Sequence, residues 1–301
     1  MSAHAPIGVI GQYNLLEMLP RSGPGDLYRA RDTKHGRTVG LRLLLPDFAS
    51  TPSARLALIE GARVLVRLSH PNVTTLFDLG EHEGRVYLVF EFLVGQSLRA
   101  EMVGHQVRLR RALEIAIQIA DGVADAHGLG FAHGALSPES IVVTTRGHAK
   151  IPAFHLAVRD GFDTGDSATL KDYASPEETR GEPPDDRSDV YSIGAILYEM
   201  LTARRPSPRG ASAPSASNAR VPQGFDGVVL KAIAPNPASR YGSAMSLAAE
   251  LRGLLAQLDA AGGAADEDDL PTEPRDRPAH AWLVVAALVP VAVAIWWLTR
   301  P

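Results

Sequence analysis

One junction constrains this chain more than any other stretch. Leu113, Ala116, Ile117, Ala120, Val123, Ala124 and His127 recur at helical spacing and give a helix with one apolar stripe. The chain then runs through a polar loop, His133-Gly134-Ala135-Leu136-Ser137-Pro138-Glu139-Ser140, into the apolar run Ile141-Val142-Val143. A long amphipathic helix that delivers a tight loop to a buried strand calls for a folded domain of mixed α and β structure. With 301 residues, 45% hydrophobic and 21% charged, the chain has the balance of a globular protein with a real core.

Composition also excludes several chemistries. A formal net charge of −4 with no basic stripe gives no electrostatic footing for nucleic acid, which needs cations to displace phosphate counterions. Zero cysteines remove disulfides, thiolate nucleophiles and cysteine metal sites. Met1 to Gly11 lacks a charged segment followed by an apolar one, so no secretory signal is read there.

Before the junction, Tyr13 to Leu45 alternates apolar runs with turn residues, as a small antiparallel sheet does. Ala54 to Leu68 reads as a helix leading to His70-Pro71-Asn72, and Val86 to Leu93 as an apolar strand followed by Gly95 and Leu98. After it come Lys150-Ile151-Pro152-Ala153-Phe154-His155-Leu156-Ala157, Tyr173-Ala174-Ser175-Pro176-Glu177, Asp189 to Gly194, and Arg240. In this order the stretches resemble the glycine loop, V-A-I-K, H-P-N, hinge, H-R-D-L-K-P-E-N, K-I-x-D-F-G-L-A and A-P-E motifs of bacterial serine/threonine protein kinases. The resemblance covers Tyr13 to Leu258. It implies an α+β, two-lobed protein-kinase-like fold at 12–259, with a small β-rich N-lobe over about 12–94 and a larger helical C-lobe over about 95–259, preceded by a tail at 1–11.

Mapped onto the family pattern, the residues that changed are the chemical ones. The catalytic-loop base position holds Ala135, the loop asparagine position Ser140, the metal-binding aspartate position Ala153 and the helix glutamate position Gly61, so no catalytic set is intact and no metal site is expected. Glu60 stands next to Gly61, but one residue turns a helix by about 100° and faces it away; as a plain solvated charge it needs no other explanation. The family's three loop glycines fall on Pro20, Ser22 and Gly25, and an ordinary hairpin turn is the plainer reading of Ser22 to Asp26. Arg42 replaces the phosphate-binding lysine with a planar fork; a strand arginine with a packed stem and exposed head is the plainer reading. The resemblance leaves Gly25, Leu27, Gly40, Arg42, Glu91, Leu93 and Val142 as nucleotide-binding candidates, with Phe90 as the bulky residue at the back of the pocket. His133, Glu177, Asp189 and Arg240 are the retained structural residues. His155 is read as a hydrogen-bonded structural histidine sooner than a magnesium ligand. Thr164, Ser167 and Thr169 could be phosphorylated, yet the arginine that would receive the phosphate is Gly134.

Ser207 to Val221 reads as a loop where the family carries a docking helix, and Phe225 to Ala234 and Met245 to Leu258 as closing helices. Residues 260–280 form an acidic, proline-bearing linker. Ala281 to Leu298 is an uncharged stretch of 18 residues with Trp282, Trp296 and Trp297 near its ends, read as a transmembrane helix, with a buried core helix as the alternative. Arg275 and Arg277 before it place the kinase-like domain on the cytoplasmic side, giving a single-pass anchor in the cell membrane. The expectation is a membrane-tethered pseudokinase: a signalling or scaffold module that contacts lipid through the C-terminal helix and binds a protein partner at the membrane face. It requires no cofactor, binds ATP weakly at most and without magnesium, and binds no nucleic acid. The alternatives are a diverged serine/threonine protein kinase and an ATP-binding sensor.

Overall fold

The computed structural model describes residues 6–19, 25–46, 52–103, 106–152, 172–207 and 210–260. The alternating N-terminal segment forms an antiparallel sheet of β1 (Gly8–Ile10), β2 (Tyr13–Leu19), β3 (Gly25–Asp32), β4 (Arg37–Leu44), β5 (Leu76–His82) and β6 (Arg85–Glu91), in the order β1-β2-β3-β4-β6-β5. Because side chains alternate between faces, the sheet presents two apolar surfaces. Ile10, Tyr13, Leu15, Val39, Leu41 and Val89 cluster on one. On the other, Leu44, Leu76, Val86 and Leu88 pack against Leu58, Ala62 and Leu65 of α1 (Pro52–Leu65). The sheet coils enough for Tyr13 on β2 to donate to Asp78 Oδ2 on the far edge strand at 2.7 Å; burial first, then the Asp78 carboxylate, pushes the Tyr13 phenol well above its ordinary range.

The expected tail at 1–11 is shorter than that. Gly8, Val9 and Ile10 pair with Leu15, Asn14 and Tyr13, Ile10 is buried, and Gly11 turns the chain at φ 54°. The run was too short to show a period, but burying Ile10 in the sheet core is reason enough for it to pair.

Beyond the hinge, β7 (Gly95–Ser97), β8 (Val142–Thr144) and β9 (Ala149–Lys150) make a small sheet beneath the cleft. Leu98–Met102 forms α2, capped by the Ser97 hydroxyl. The long helix of the junction is α3 (Leu109–Gly128), with Leu113, Ile115, Ala116, Ile119, Ala120 and Val123 buried. It packs against α5 (Asp186–Thr202) and α8 (Ala244–Ala260). Every residue of α5 from Ser188 to Thr202 is buried, so this helix is the spine of the C-lobe. Its start is fixed by a capping box between Asp185 and Ser188. Gly194 lets α7 (Asp226–Ala232) close onto it, since a Cβ there would come within 2.7 Å of the Ala232 methyl. The loop expected at 207–221 contains one helical turn, α6 (Pro214–Ser217), where Ser215 hydrogen-bonds the Asp226 carboxylate.

On α4 (Pro176–Thr179), Glu177 meets Arg240 in a buried bidentate pair at 2.5 and 2.8 Å. Arg240 also donates to the carbonyls of Ala234, Pro235 and Arg187, leaving no buried donor wasted. Residues 261–301, which include nearly all of the expected linker and the whole 281–298 span, lie outside the described residues, and Ala260 still belongs to α8. Among the described residues no helix is long and apolar enough to cross a membrane.

The Glu177–Arg240 pair sets an acid limit on stability. Burial pushes the Glu177 carboxyl up, but Arg240 and the surrounding hydrogen bonds outweigh it and bring it from 4.5 to about 2. A folded value below the unfolded one stabilises fully above 4.5, and that contribution fades as pH falls toward about 2. Replacing Arg240→Met leaves the carboxylate buried and unpaired, which costs about 3–5 kcal/mol near pH 7. In denaturant titrations the gap to wild type should narrow on acidification, because the orphaned carboxyl then folds protonated; a pH-independent gap would contradict the pairing.

Candidate functional site

One carboxylate holds the 133–140 loop against α3 and α5. Asp189, fully buried on α5, accepts the backbone N–H of His133 at 2.6 Å through Oδ2 and that of Gly134 at 2.8 Å through Oδ1. His127, near the end of α3, also meets Asp189 Oδ2 through Nε2, at 2.8 Å. His133 turns its Nδ1 to accept the Ala135 N–H at 3.2 Å. Gly134 sits at φ 66°, a left-handed conformation that glycine adopts without strain. His133 and Asp189, both buried, thus lie within one hydrogen-bonded loop frame.

The frame presents side chains that differ from the family's chemical set. Ala135 offers a methyl group where proton abstraction needs a carboxylate. Ser140 is closed on its own turn: its hydroxyl donates to the Ser137 carbonyl and accepts the Ser137 N–H, both at 2.9 Å, while its own N–H lies 3.3 Å from the buried Ser137 hydroxyl. A neutral hydroxyl brings none of the carboxylate charge on which oxygen sites for magnesium mostly rely, and its proton and one lone pair are already engaged by Ser137. Ala153 and His155 lie outside the described residues, as does the turn at 20–24, and the alanine at 153 brings no oxygen by its chemistry.

The roof is set by strand register. Leu27 pairs with Arg42 and Arg42 with Leu88, while Gly40 pairs with Phe90. Residues directly opposite in antiparallel strands share a face, so Leu27, Gly40, Arg42 and Phe90 all look to one side. Arg42 is half-buried, and that burial pushes its guanidinium down to about 10, still protonated at neutral pH. On α1, Gly61 supplies no carboxylate beside it and Glu60 is exposed, since Leu58, Ala62 and Leu65 take the inner face.

Two glycines of the candidate set have steric reasons of their own. Gly25 adopts φ 141°, and a Cβ on it would collide with the Leu43 carbonyl across the ladder. At Gly40 an added methyl would run into the Phe90 ring. The ring therefore occupies space that an alanine at this strand position would otherwise claim.

The hinge and floor are joined by a contact that sequence reasoning missed. Lys150 Nζ lies 2.7 and 2.6 Å from the two oxygens of Glu91, tying β9 to the end of β6. As Lys150 pairs in register with Val142, the contact brings the hinge candidate Glu91 and the floor candidate Val142 to one place, with Leu93 half-buried in the next turn of chain. Asn72 reinforces the junction by donating to the Ala149 carbonyl at 2.8 Å. Below the loop, Arg99 bridges Glu139 at 2.7 Å and Glu199 at 2.9 Å, and Tyr173 closes the network by hydrogen-bonding Glu199. The available signal was a charged residue in an otherwise apolar strand or helix; its partners, 59 and 100 residues distant, carried no local mark.

A protein kinase domain model matches residues 13–250. The chain belongs to the protein kinase family. Its relatives are bacterial serine/threonine-protein kinases: PknB of Mycolicibacterium smegmatis is 34% identical over 265 residues, and PrkC of Bacillus subtilis 29% over 262. These matches take in 80% and 81% of this chain but only 42% and 40% of the relatives' own length. Among solved structures, the PknI kinase domain of Mycobacterium tuberculosis superposes with a TM-score of 0.69 over 85% of this chain and all of that one, at 23% identity. That likeness establishes the two-lobed fold.

The Gly40–Phe90 contact is testable by a double-mutant cycle. Gly40→Ala should destabilise by about 1–3 kcal/mol through overpacking, and the same change in a Phe90→Leu background should cost markedly less. Equal costs in both backgrounds would show that the ring does not fill this space.

Proposed function

We propose that this kinase-family chain is a membrane-tethered binding module that uses the fold as a signalling or scaffold surface and does not transfer phosphate by the family route. The observation that carries the reading is the catalytic loop itself: held at full height by Asp189, yet presenting the Ala135 methyl and a Ser140 hydroxyl consumed by its own turn. Loss of a general base alone costs about 10²–10⁴ in rate. Here the base, the metal ligands at 140 and 153 and the glutamate at 61 are absent together. The partner this reading calls for is a protein at the membrane face, with ATP bound weakly and independently of magnesium through Arg42.

A second reading, a diverged serine/threonine protein kinase, is favoured by the comparisons more than the first is, because the relatives at 29–34% identity are named as serine/threonine-protein kinases. The two readings part on the metal. If the cleft works by the family route, ATP should raise the melting temperature only with magnesium; if it is a binding module, any shift should be the same with magnesium or with chelator. Saturation at 100 times the dissociation constant stabilises by about 2.7 kcal/mol, which a melting curve resolves. A magnesium-dependent shift of that size would replace the first reading with the second.

Tethering rests on the uncharged span 281–298 with its bracketing tryptophans. The full chain should stay with the membrane pellet after alkaline extraction, and release into the supernatant would remove the tether from the proposal.

A further inference from the structure

The alternation of side chains along β9 sends one charge toward the hinge. Ala149 and Ile151 are buried in the C-lobe core, so Lys150 between them points to the opposite side of the strand. There its Nζ meets both carboxylate oxygens of Glu91, the last residue of the N-lobe strand β6, at 2.7 and 2.6 Å. The Lys150 and Glu91 side chains remain 16% and 31% exposed. A charged pair still partly open to water adds little to overall stability. Its two ends belong to different lobes, however, and what it fixes is their relative position.

The strand pairings close this contact into a ring. From Glu91 the chain crosses Phe92, Leu93 and Val94 to β7; Ser97 of β7 pairs with Val142 of β8, Val142 with Lys150, and Lys150 returns to Glu91. A second ring runs alongside through residues 72–75. The Glu91 N–H donates to the Thr75 carbonyl at 2.9 Å, the Thr74 N–H to the Ile151 carbonyl at 2.8 Å, and the Ile151 N–H to the Asn72 carbonyl at 2.8 Å. Asn72 is held in turn by Gln118 of α3, whose Oε1 accepts its side-chain amide at 3.0 Å. Opening the lobes about Phe92–Val94 moves the end of β6 relative to β9, and so draws Glu91 off Lys150.

We propose that the Glu91–Lys150 pair is an interlobe latch, which holds the cleft at one opening whether or not a ligand occupies it. A ligand shifts such an equilibrium only by the difference in its affinity for the two openings. With the latch made, the wider opening is disfavoured before any ligand arrives. The latch is a property of the hinge and is independent of whether the cleft transfers phosphate.

The test is a distance measurement by pulsed electron–electron dipolar spectroscopy on the purified full chain in detergent. The chain has no cysteine, so Lys34→Cys in the N-lobe and Glu250→Cys on α8, both exposed, give two unique nitroxide positions. Expected is one narrow distance distribution in this labelled parent, the same with and without ATP and magnesium, and a broader one when Lys150→Met or Glu91→Gln is added. The exchange of Glu91→Lys with Lys150→Glu, which restores the pair with its ends reversed, should return to the parent's width. Melting curves check folding, and Glu91→Gln, which keeps the side chain's size, serves if Lys150→Met does not fold. The parent's width in the folded single variants, an exchanged pair as broad as they are, or an ATP-driven shift in the parent would overturn the proposal.

Discussion

The contact of Asp189 with the backbone of the catalytic loop is the constraint on which the site depends. One carboxylate in the first turn of the most buried helix accepts two consecutive N–H groups and a histidine, so the loop, α3 and α5 are fixed to one another at a single point. Burying an unpaired carboxylate costs several kcal/mol, and each bond to Asp189 offsets that cost only while the loop holds its shape. The Glu177–Arg240 pair does the same for the segment entering α5. Both are framework interactions, and they draw on backbone groups or on each other; neither needs a substrate or a metal to be satisfied.

This separates posture from chemistry in the cleft. The loop can keep its place with Gly134, Ala135 and Ser140 in it, because the bonds that hold it come from main-chain N–H groups, of His133 and Gly134, and not from the side chains that changed. Ser140 even strengthens the turn, its hydroxyl bonding Ser137 in both directions. At the roof, Gly40 and Phe90 complement one another in size, which is a packing solution of its own. The retained framework is consistent with a surface kept for binding, whereas family membership and the relatives' names speak for phosphoryl transfer.

Much of the fold was legible in the sequence because its determinants are local or periodic. The stripe from Leu113 to His127 gave α3, alternation gave the sheet, and His133, Glu177, Asp189 and Arg240 stood at spacings that a family pattern fixes. Less legible were contacts that exist only once distant elements meet. Lys150 looked like one residue of a degenerate motif until β9 came beside the hinge and Glu91 accepted it. Arg99 lies on a helix of five residues, too short to show a period, and finds Glu139, Glu199 and Tyr173 through tertiary packing. Gly25 was read as a surviving phosphate-loop glycine, although its φ of 141° and the nearby Leu43 carbonyl demand glycine on steric grounds. A sequence names the residue and leaves open which of two reasons keeps it there.

The most direct measurement is transfer of labelled phosphate from ATP, with magnesium, by the full chain to itself and to a generic protein substrate. Wild type should be compared with the single variants Ala135→Asp and Ala153→Asp and with a chain carrying Arg42→Lys, Gly61→Glu, Ala135→Asp, Ser140→Asn and Ala153→Asp together. Base, metal ligands and clamp act as a unit, and removals within such sets are strongly non-additive. The wild type and the single variants should therefore be silent, with any turnover confined to the combined chain. Magnesium-dependent turnover by the wild type that disappears on Arg42→Ala would contradict a cleft kept for its shape alone.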